Sequence, residues 1–377
     1  MQIGKGKGFK KKIGEIENKD IFGYQNIIPS KNDIENIREI VEQIVDSQAR
    51  IDDKKTNPGF ALMTKKPSFI DYENAVKQIV TLENAKKILE ENNAYYKGYK
   101  NCRGLIGATA SIAWLSNNKM TYELIAYREQ KKWGTKRFID DESTKKMDKK
   151  CSKTFDNYDY RNNHNRIVPN SPCPVLFGIR GTCEKELVSA KSMIKSEKID
   201  SWLIFETNQG TDDHLQKTTI NKIQPYQSVI VEGMVSKAPY TKRGGHVFFS
   251  IKNSRKEIDC AAYEPTKDFR EIIRELIPGD LVEVYGGVRK EPLTINLEKI
   301  NVNKLENKIE KIENPICTKC GKHMKSKGVN QGYRCIKCGE RSNKPVIKKI
   351  KRNIKTGLYE VPVCARRHIS KPIKLIR

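Results

Sequence analysis

The chain has 377 residues, which is long enough for two to four compact domains with hydrophobic cores. Lysine and arginine exceed aspartate and glutamate by 26, and an excess of this size indicates a polyanionic partner such as nucleic acid. The sequence has neither an apolar run long enough to cross a bilayer nor a secretory signal, so we expect a cytoplasmic protein without membrane contact.

Positive charge is concentrated toward the carboxyl end. Residues 314–377 contain 18 lysines and arginines against two acidic residues, Glu340 and Glu360. A basic segment of this kind can be a solvated or membrane-seeking tail. Here it surrounds cysteines with metal-binding spacing, which favours nucleic acid as the partner, with ribosomal RNA and anionic lipid as weaker interpretations.

The first 50 residues are too few to bury a core of their own. Glycine and lysine dominate residues 3–29, which predict one or two short strands with loops. Residues 32–48 place isoleucine and valine on one face and predict an amphipathic helix. A Thr-Asn-Pro-Gly turn at 56–59 opens a second unit, followed by a short strand at 60–63 and one or two helices over 69–92.

The second unit, residues 56–218, alternates helices and strands. The pattern predicts helices at 103–115 and 183–195 and strands at 121–128, 174–180 and 202–207. Such alternation favours an α+β sandwich of ferredoxin-like type. Residues 140–165 are polar and predict a loop, and a loop of this length is usually functional or disordered.

Residues 219–305 show the alternation of a small β-barrel. Val229, Val231 and Val235 repeat with period two, and the predicted order is three strands, a helix and two strands. This is the order of an OB-fold. Phe248 and Tyr285 fall out of phase with the valines, which places them on the outer face of the barrel. They could stack on nucleotide bases or, equally well, pack against a neighbouring domain.

The strongest local signal is a pair of cysteine motifs. Cys317-x2-Cys320 and Cys335-x2-Cys338 are separated by 14 residues, the spacing of a structural zinc site with four thiolate ligands. The sequence therefore predicts a zinc ribbon over 314–345, followed by a basic tail at 346–377. The candidate RNA-binding cations of the ribbon are Lys322, Lys325, Arg334 and Arg341. The remaining six cysteines are expected to be buried or unreactive thiols.

Polar residues also cluster at turns and strand ends of the middle domain. Carboxylates in such clusters can bind magnesium, an amine or a guanidinium, although Asx-rich turns more often cap strands and helices. The candidate substrate-binding residues are Asp156, Asn157, Asp159, Asn170, Ser171, Cys173, Arg180, Asn208, Thr211 and Asp212. We assign no catalytic residue, and neither His164 nor His214 is assigned as a base.

Several stretches occur together, and in this order, in one family. They are residues 56–60, 104–108, 121–128, 154–159, 170–181 and 207–214. Pro-Asn-Ser-Pro-Cys-Pro at 169–174 and Asn-Gln-Gly-Thr-Asp at 208–212 are the most specific. With a barrel and a zinc ribbon after them, the chain resembles the archaeal tRNA-isoleucine 2-agmatinylcytidine synthetases, the TiaS family.

The resemblance implies an α+β protein of several domains: an ATP-using kinase-like domain, a ferredoxin-like domain, an OB-fold and a zinc ribbon. It also implies a ligase that uses ATP and magnesium to join agmatine to carbon 2 of the wobble cytidine of an isoleucine tRNA, so that the anticodon reads AUA. The cation of agmatine would then meet carboxylates such as Asp156, Asp159 or Asp212.

One departure from the family concerns the kinase-like domain. In the family this domain begins with an acidic Gly-Ile-Asp-Asp-Thr-Asp-Ser segment that serves magnesium and ATP, and this sequence has no such segment. The resemblance therefore implies that residues 1–55 correspond to the carboxy-terminal part of that domain. A separate chain that supplies the segment is one expected partner.

Two alternatives to the ligase stay open at this point. The chain could be a non-catalytic tRNA- or rRNA-binding protein that uses only the barrel and the ribbon. It could also be a regulatory binding module that acts with a separate catalytic subunit. Agmatine transfer separates the ligase from the first alternative, and a complementary short gene would favour the second.

Overall fold

The computed structural model describes residues 10–12, 31–49, 56–116, 120–171, 173–329 and 331–376. Its amino-terminal part contains mainly helices. In chain order the elements are β1 (Lys10–Lys12), α1 (Lys31–Gln48), β2 (Gly59–Leu62), α2 (Phe69–Lys77), α3 (Leu82–Glu91), β3 (Tyr95–Gly98) and α4 (Gly104–Ala113). The helix predicted over 32–48 and the pair of helices predicted over 69–92 are confirmed. The short strands predicted within residues 3–29 lie outside the described residues, except for β1.

Local signals explain where these helices begin and how closely they pack. The Ser68 and Thr81 side chains accept backbone N–H groups at the starts of α2 and α3, as N-cap residues do. A Cβ atom on Gly104 would lie 2.5 Å from the Asn57 carbonyl oxygen. Only glycine therefore permits the close approach of α4 to the chain just before β2.

The middle domain is an antiparallel sheet with two helices packed on one face. Its elements are β4 (Thr121–Arg128), α5 (Asp141–Lys150), β5 (Thr154–Phe155), β6 (Tyr158–Asp159), β7 (His164–Asn165), β8 (Val175–Gly181), α6 (Glu184–Met193) and β9 (Ile199–Thr207). The strand order is β1-β9-β4-β8-β5, so β1 joins this sheet from the amino-terminal part. Met147 of α5 and Leu187 of α6 lie in the same core cluster as Leu124 and Leu176 of the sheet.

The prediction of a loop over 140–165 is wrong for its first part, which forms α5. The Asp140 carboxylate caps this helix by accepting the N–H groups of Glu142 and Ser143. Its sequence, DESTKKMDKK, offers Met147 as its one large apolar residue, so it carries no amphipathic signal. The helix is stabilised by the cap and by burial of Met147 together with the small polar side chains of Ser143 and Thr144.

The OB-fold prediction is confirmed by a closed barrel. Its elements are β10 (Leu215–Lys217), β11 (Ser228–Thr241), β12 (Val247–Asn253), β13 (Lys256–Ala262), α7 (Phe269–Arg274), β14 (Leu281–Arg289) and β15 (Thr294–Lys304). Strand β11 pairs with both β12 and β14, and β13 pairs with β15, which closes the sheet on itself. Val229, Val231 and Val235 face the interior, as their alternation predicted.

The zinc ribbon is held on a two-stranded stem. The stem consists of β16 (Ile309–Glu313) and β20 (Val346–Lys349), which are antiparallel. Between them lie the ribbon strands β17 (Lys325–Ser326), β18 (Tyr333–Arg334) and β19 (Arg341–Ser342). The Ile350 N–H donates to the Lys308 carbonyl at 2.8 Å, so the chain enters and leaves the stem at adjacent points.

The last part of the chain folds back over the barrel. We call residues 351–376 the C-terminal segment. It includes β21 (Gly357–Glu360), which pairs with β15, and it buries Ile354, Val361 and Ile369. The basic tail predicted for 346–377 therefore contributes β20 to the stem and then packs on the folded domains. No helix among the described residues has both the length and the apolar character needed to cross a membrane.

Candidate substrate and nucleic-acid site

The four cysteines of the two motifs converge in the ribbon. The Sγ atoms of Cys317 and Cys338 are 3.3 Å apart and those of Cys320 and Cys335 are 3.4 Å apart. All four sulfur atoms lie within 4.8 Å of one another. Tetrahedral zinc with bonds of about 2.3 Å places its sulfur ligands about 3.8 Å apart, so the cluster fits zinc.

Two matching turns present these thiols. The Gly321 N–H donates to the Cys317 carbonyl at 2.9 Å, and the Gly339 N–H donates to the Cys335 carbonyl at 3.0 Å. Both glycines have positive φ, +68° and +74°, which explains why glycine follows each pair. Four protein sulfurs complete a tetrahedron, so the ion is structural, as the sequence predicted, and shapes the ribbon rather than reacting.

The basic side chains predicted for RNA binding are exposed on the ribbon. Lys322, Lys325, Arg334 and Arg341 all face solvent. Lys325 and Arg341 are the cross-strand partners of Arg334 on its two sides, so three cations form a row across the ribbon sheet. Like charges in cross-strand positions destabilise a sheet, which makes this row a favourable place for a polyanion.

Most of the candidate substrate-binding residues meet at one end of the middle sheet. Strand β5 pairs with the end of β8, and the end of β9 lies beside the start of β4. This brings together the loops that carry Asp156, Asn157, Asp159, Arg180, Asn208, Thr211 and Asp212. The loops contact the barrel and the C-terminal segment, whose residues had no place in the predicted site.

The Asp156 and Asp159 carboxylates face the C-terminal segment. Asp156, in the left-handed region with φ of +56°, forms an ion pair with Arg366 and lies 3.9 Å from Arg180. Asp159 accepts the Cys364 N–H at 3.0 Å and the Asn162 N–H at 3.1 Å. Burial alone would raise the pKa of Asp159, but these hydrogen bonds lower it.

Asp212 binds a lysine of the barrel. The Lys299 ammonium lies 2.7 and 2.5 Å from the two carboxylate oxygens, and the Lys371 N–H donates to Oδ1 at 2.7 Å. Lys299 is 1% exposed. Because a buried ammonium is costly without a partner, Asp212 serves the junction between the two domains. Nearby, Thr211 donates to the Asn208 carbonyl at 2.7 Å.

Arg180 and Asn157 are buried within the same end of the sheet. Burial lowers the pKa of Arg180, and the adjacent Asp156 carboxylate opposes this effect. The Arg180 Nε atom lies 3.7 Å from Glu123, whose other oxygen accepts the Gln209 side-chain amide at 3.0 Å. Asn157 donates to Asp148 at 2.9 Å and ties this loop to α5.

The turn with Asn170, Ser171 and Cys173 lies at the opposite end of the sheet. It precedes the first residue of β8, and the seven residues of that strand span about 20 Å. The structure therefore does not bring these three residues to the other candidates. Their turn is instead held by Arg137, whose guanidinium donates to the carbonyls of Pro169, Ser171, Cys173 and Val175 at 2.8–3.1 Å.

Tyr72 is a buried residue of this region that the sequence analysis missed. Its hydroxyl donates to Asp213 at 2.7 Å and accepts the Asn208 side-chain amide at 2.8 Å. Burial and the Asp213 carboxylate raise the pKa of Tyr72. Its partners lie 141 and 136 residues away in the chain, so no local pattern could have identified it.

His214 is fully buried at the junction with the barrel, and its Nε2 atom lies 3.0 Å from Glu298. Arg367 donates to the second oxygen of Glu298 at 2.6 Å. Burial would raise the pKa of Glu298, but His214 and Arg367 together lower it to about 2. His164, by contrast, is exposed on β7.

The two barrel aromatics have different environments. Phe248 is half-buried and stacks on Tyr240 with ring centroids 5.9 Å apart, and Lys242 lies 4.5 Å above its ring. Tyr285 donates to Glu283 at 2.5 Å and lies 6.0 Å from the Lys299 ammonium, at the domain junction. The contacts of Phe248 suit base stacking, whereas those of Tyr285 favour the alternative of packing between domains.

Among the described residues, the four cysteines form the only group of three or more metal-binding side chains close enough to hold an ion. The paired acids of the middle domain are not part of such a group among the described residues. Their carboxylates bind cations and amides of the chain itself.

Comparison with known proteins covers most of the chain. Family models match the "TiaS TCKD domain" at residues 1–101, the "TiaS FLD domain" at 102–214, an "OB-fold nucleic acid binding domain" at 229–313 and the "TiaS C-terminal zinc ribbon domain" at 314–354. The boundary predicted between residues 55 and 56 stays a prediction.

Two curated relatives are both 2-agmatinylcytidine synthetases of an isoleucine tRNA, named TiaS. The Methanococcus voltae protein is 44% identical over 92% of this chain and 70% of its own length. The Methanocaldococcus jannaschii protein is 44% identical over 91% of this chain and 83% of its own length.

Solved structures agree with these relatives. The crystal structure of TiaS in complex with its isoleucine tRNA and ATP matches with a TM-score of 0.80 and 39% identity, over 91% of this chain and 81% of that one. The complex of TiaS with the same tRNA, AMPCPP and agmatine matches with a TM-score of 0.79 and 38% identity, over 92% and 82%. The fold and the sequence therefore lead to one conclusion: the chain belongs to the TiaS family of tRNA-isoleucine 2-agmatinylcytidine synthetases.

Proposed function

We propose that this chain uses ATP to attach agmatine to carbon 2 of the wobble cytidine of an isoleucine tRNA. The observation that carries this proposal is the match, over 92% of the chain, to a structure whose complex contains an isoleucine tRNA, AMPCPP and agmatine. We also place the protein in the cytoplasm, with its tRNA substrate.

The reaction exchanges one bond at carbon 2 of the base. The bond to the carbonyl oxygen breaks, and a bond to the primary amine nitrogen of agmatine forms. ATP supplies a phosphoryl or nucleotidyl group that makes this oxygen a leaving group. The amine must lose a proton during the exchange. The wobble base must also leave the anticodon stack to be reached.

The end of the middle sheet is where we place agmatine recognition. It concentrates the carboxyl and amide side chains that a guanidinium or an ammonium binds. Asp156, Asp159 and Asp212 stay candidates, but their bonds to Arg366, Cys364 and Lys299 favour a role in holding the loops over direct contact with agmatine. Asn208 and Thr211 lie on the same loop as Asp212.

The tRNA is proposed to contact the ribbon and the barrel. The cation row of Lys325, Arg334 and Arg341 suits the phosphate backbone. Phe248 suits an unstacked base. The proposed requirement for magnesium and ATP rests on the family relationship.

The test is transfer of labelled agmatine to an isoleucine tRNA transcript with a wobble cytidine, with and without ATP. A transcript with uridine at that position is the control. We expect labelling that requires both ATP and the cytidine. Tight tRNA binding without labelling would instead favour the non-catalytic RNA-binding alternative.

A further inference from the structure

A short hairpin on the middle domain presents an exposed tyrosine. The hairpin consists of β6 and β7, and its inner side is anchored by Asp159, which binds Cys364 of the C-terminal segment. Asp156 anchors the approach to it through Arg366. Tyr160, at the tip, is 48% exposed, and its hydroxyl donates to the Lys145 carbonyl at 3.3 Å. An exposed ring on an anchored loop is suited to contact with a partner.

Two lysines of α5 lie over the tyrosine rings of the hairpin. The Lys149 ammonium lies 5.9 Å from the centroid of Tyr160, and Lys145 lies 5.0 Å from that of Tyr158. The Tyr158 and Tyr160 rings are themselves 5.2 Å apart. Lys150 is also exposed. The one acidic side chain in this half of α5, Asp148, is partly buried and accepts the Asn157 amide at 2.9 Å, whereas Lys146 and Lys149 are exposed. Burial and the nearby Asp148 carboxylate raise the pKa of the Tyr160 hydroxyl to about 12.

The tip of the hairpin also reaches the barrel. Arg161 forms an ion pair with Asp268, the residue before α7. Two residues later, Arg270 donates to the Gly245 carbonyl at 2.6 Å, in the loop between β11 and β12. The same loop contains Lys242, whose ammonium lies 4.5 Å from the ring centroid of Phe248 at the start of β12. Arg161, which is paired with Asp268, and Arg270 thus lie between the exposed Tyr160 of the middle domain and the half-buried Phe248 of the barrel.

We propose that α5, the β6–β7 hairpin and the β11–β12 loop form one continuous RNA-binding track, in which Tyr160 stacks on an unpaired base of the tRNA. This inference rests on the proposed function, since it assigns an additional part of the tRNA surface to the middle domain. Interleaved aromatic and basic side chains are the pattern of single-stranded nucleic-acid sites. An acidic protein would use the lysines but would not require the exposed ring.

The track makes two measurable contributions to tRNA affinity. Stacking of one base on tyrosine should be worth about 5- to 140-fold in Kd. Each lysine that neutralises a phosphate should add about 0.7–0.9 to the slope of log Kd against log salt concentration. The two effects are independent, so two kinds of variant separate them.

The experiment measures Kd for the isoleucine tRNA transcript by filter binding over a range of NaCl concentrations, without ATP or agmatine. We expect Tyr160→Ala to weaken binding about 5-fold or more at every salt concentration, and Tyr160→Phe to restore it. Lys149→Gln with Lys150→Gln should lower the salt slope by about one to two. The matched control is Lys86→Gln with Lys87→Gln on α3, which should change the slope less.

Unchanged Kd in Tyr160→Ala and an unchanged slope in the double lysine variant would overturn the inference, as would equal effects of the α3 control. Thermal unfolding of each variant, compared with wild type, excludes a general loss of structure. The binding assay requires no catalysis. If these variants lose tRNA affinity but the wild type transfers no agmatine, the track stands and the proposed reaction fails.

Discussion

Replacement of Asp212 by asparagine distinguishes the two roles that this residue could have. Asp212 has a φ of +64°, in the left-handed region that asparagine tolerates better than alanine. Asp212→Asn therefore removes the charge and leaves the backbone conformation in place. In the structure this charge is the partner of Lys299, which is 1% exposed.

Removal of one partner from a buried ion pair costs about 3–5 kcal/mol, because the other charge stays buried without compensation. The Asp212 side chain is 21% exposed, so water can partly compensate the Lys299 charge when the carboxylate is removed. We therefore expect a loss of stability at the lower end of this range, about 3 kcal/mol. For a folding unit of roughly 150–250 residues, a loss of about 3 kcal/mol corresponds to a fall of about 6–12 °C in Tm. Replacement of both partners, Asp212→Asn with Lys299→Met, should recover most of the loss.

The assay combines thermal unfolding, followed by near-ultraviolet circular dichroism, with agmatine titration at saturating tRNA and ATP. If Asp212 holds the domain junction, Tm falls in the single variant and returns in the double variant, while the KM for agmatine changes less than threefold. If Asp212 binds agmatine, the KM rises tenfold or more with Tm within about 2 °C of wild type. The second result would refute the reasoning from the Lys299 contact.

Three further predictions concern separate parts of the molecule. Cys335→Ser should abolish zinc binding, measured by elemental analysis, and weaken tRNA binding. The thermal transition of the barrel should remain, because the chain enters and leaves the ribbon through the paired strands β16 and β20. The pKa of Glu298 is lowered from its ordinary value of 4.5 to about 2, so its ionised form contributes about 3 kcal/mol to the free energy of unfolding. This contribution is complete above pH 4.5 and is lost as the pH falls toward 2. Glu298→Gln should therefore remove this part of the pH dependence of stability, measured by urea titration. Arg137→Ala should expose the turn at 169–174 to proteolysis and cost about 1–3 kcal/mol, and Arg137→Lys should restore only part of this because lysine lacks the planar guanidinium fork.

Each of these has a control and a contrary outcome. Cys364→Ser should keep full zinc content, and a zinc-free Cys335→Ser protein with unchanged tRNA affinity would argue against an RNA role for the ribbon. For Glu298, equal loss of stability in wild type and variant between pH 4.5 and 3 would contradict the assignment of the pairing. For Arg137, unchanged cleavage at the turn in the alanine variant would mean that the turn holds its shape without the guanidinium.

The elements that the sequence predicted well are those with a strong local pattern. Alternating valines specify the barrel strands because period-two burial allows only one register against the core. The cysteine pairs specify the ribbon because four thiolates at this spacing suit one kind of metal site. Helix α5 was missed since a cap and one buried methionine, rather than a repeating apolar face, hold it in place.

The candidate site was predicted only as far as local sequence patterns extend. The sequence alone determined the family, the zinc ligands, the order of the domains and the clusters of polar residues at strand ends. Only the tertiary structure decided which cation meets each carboxylate, because Asp212 and Lys299 lie 87 residues apart in the chain and Asp156 and Arg366 lie 210 apart. Electrostatic partners at such separations are chosen by the packing of whole domains, and they leave no periodic signal in the sequence.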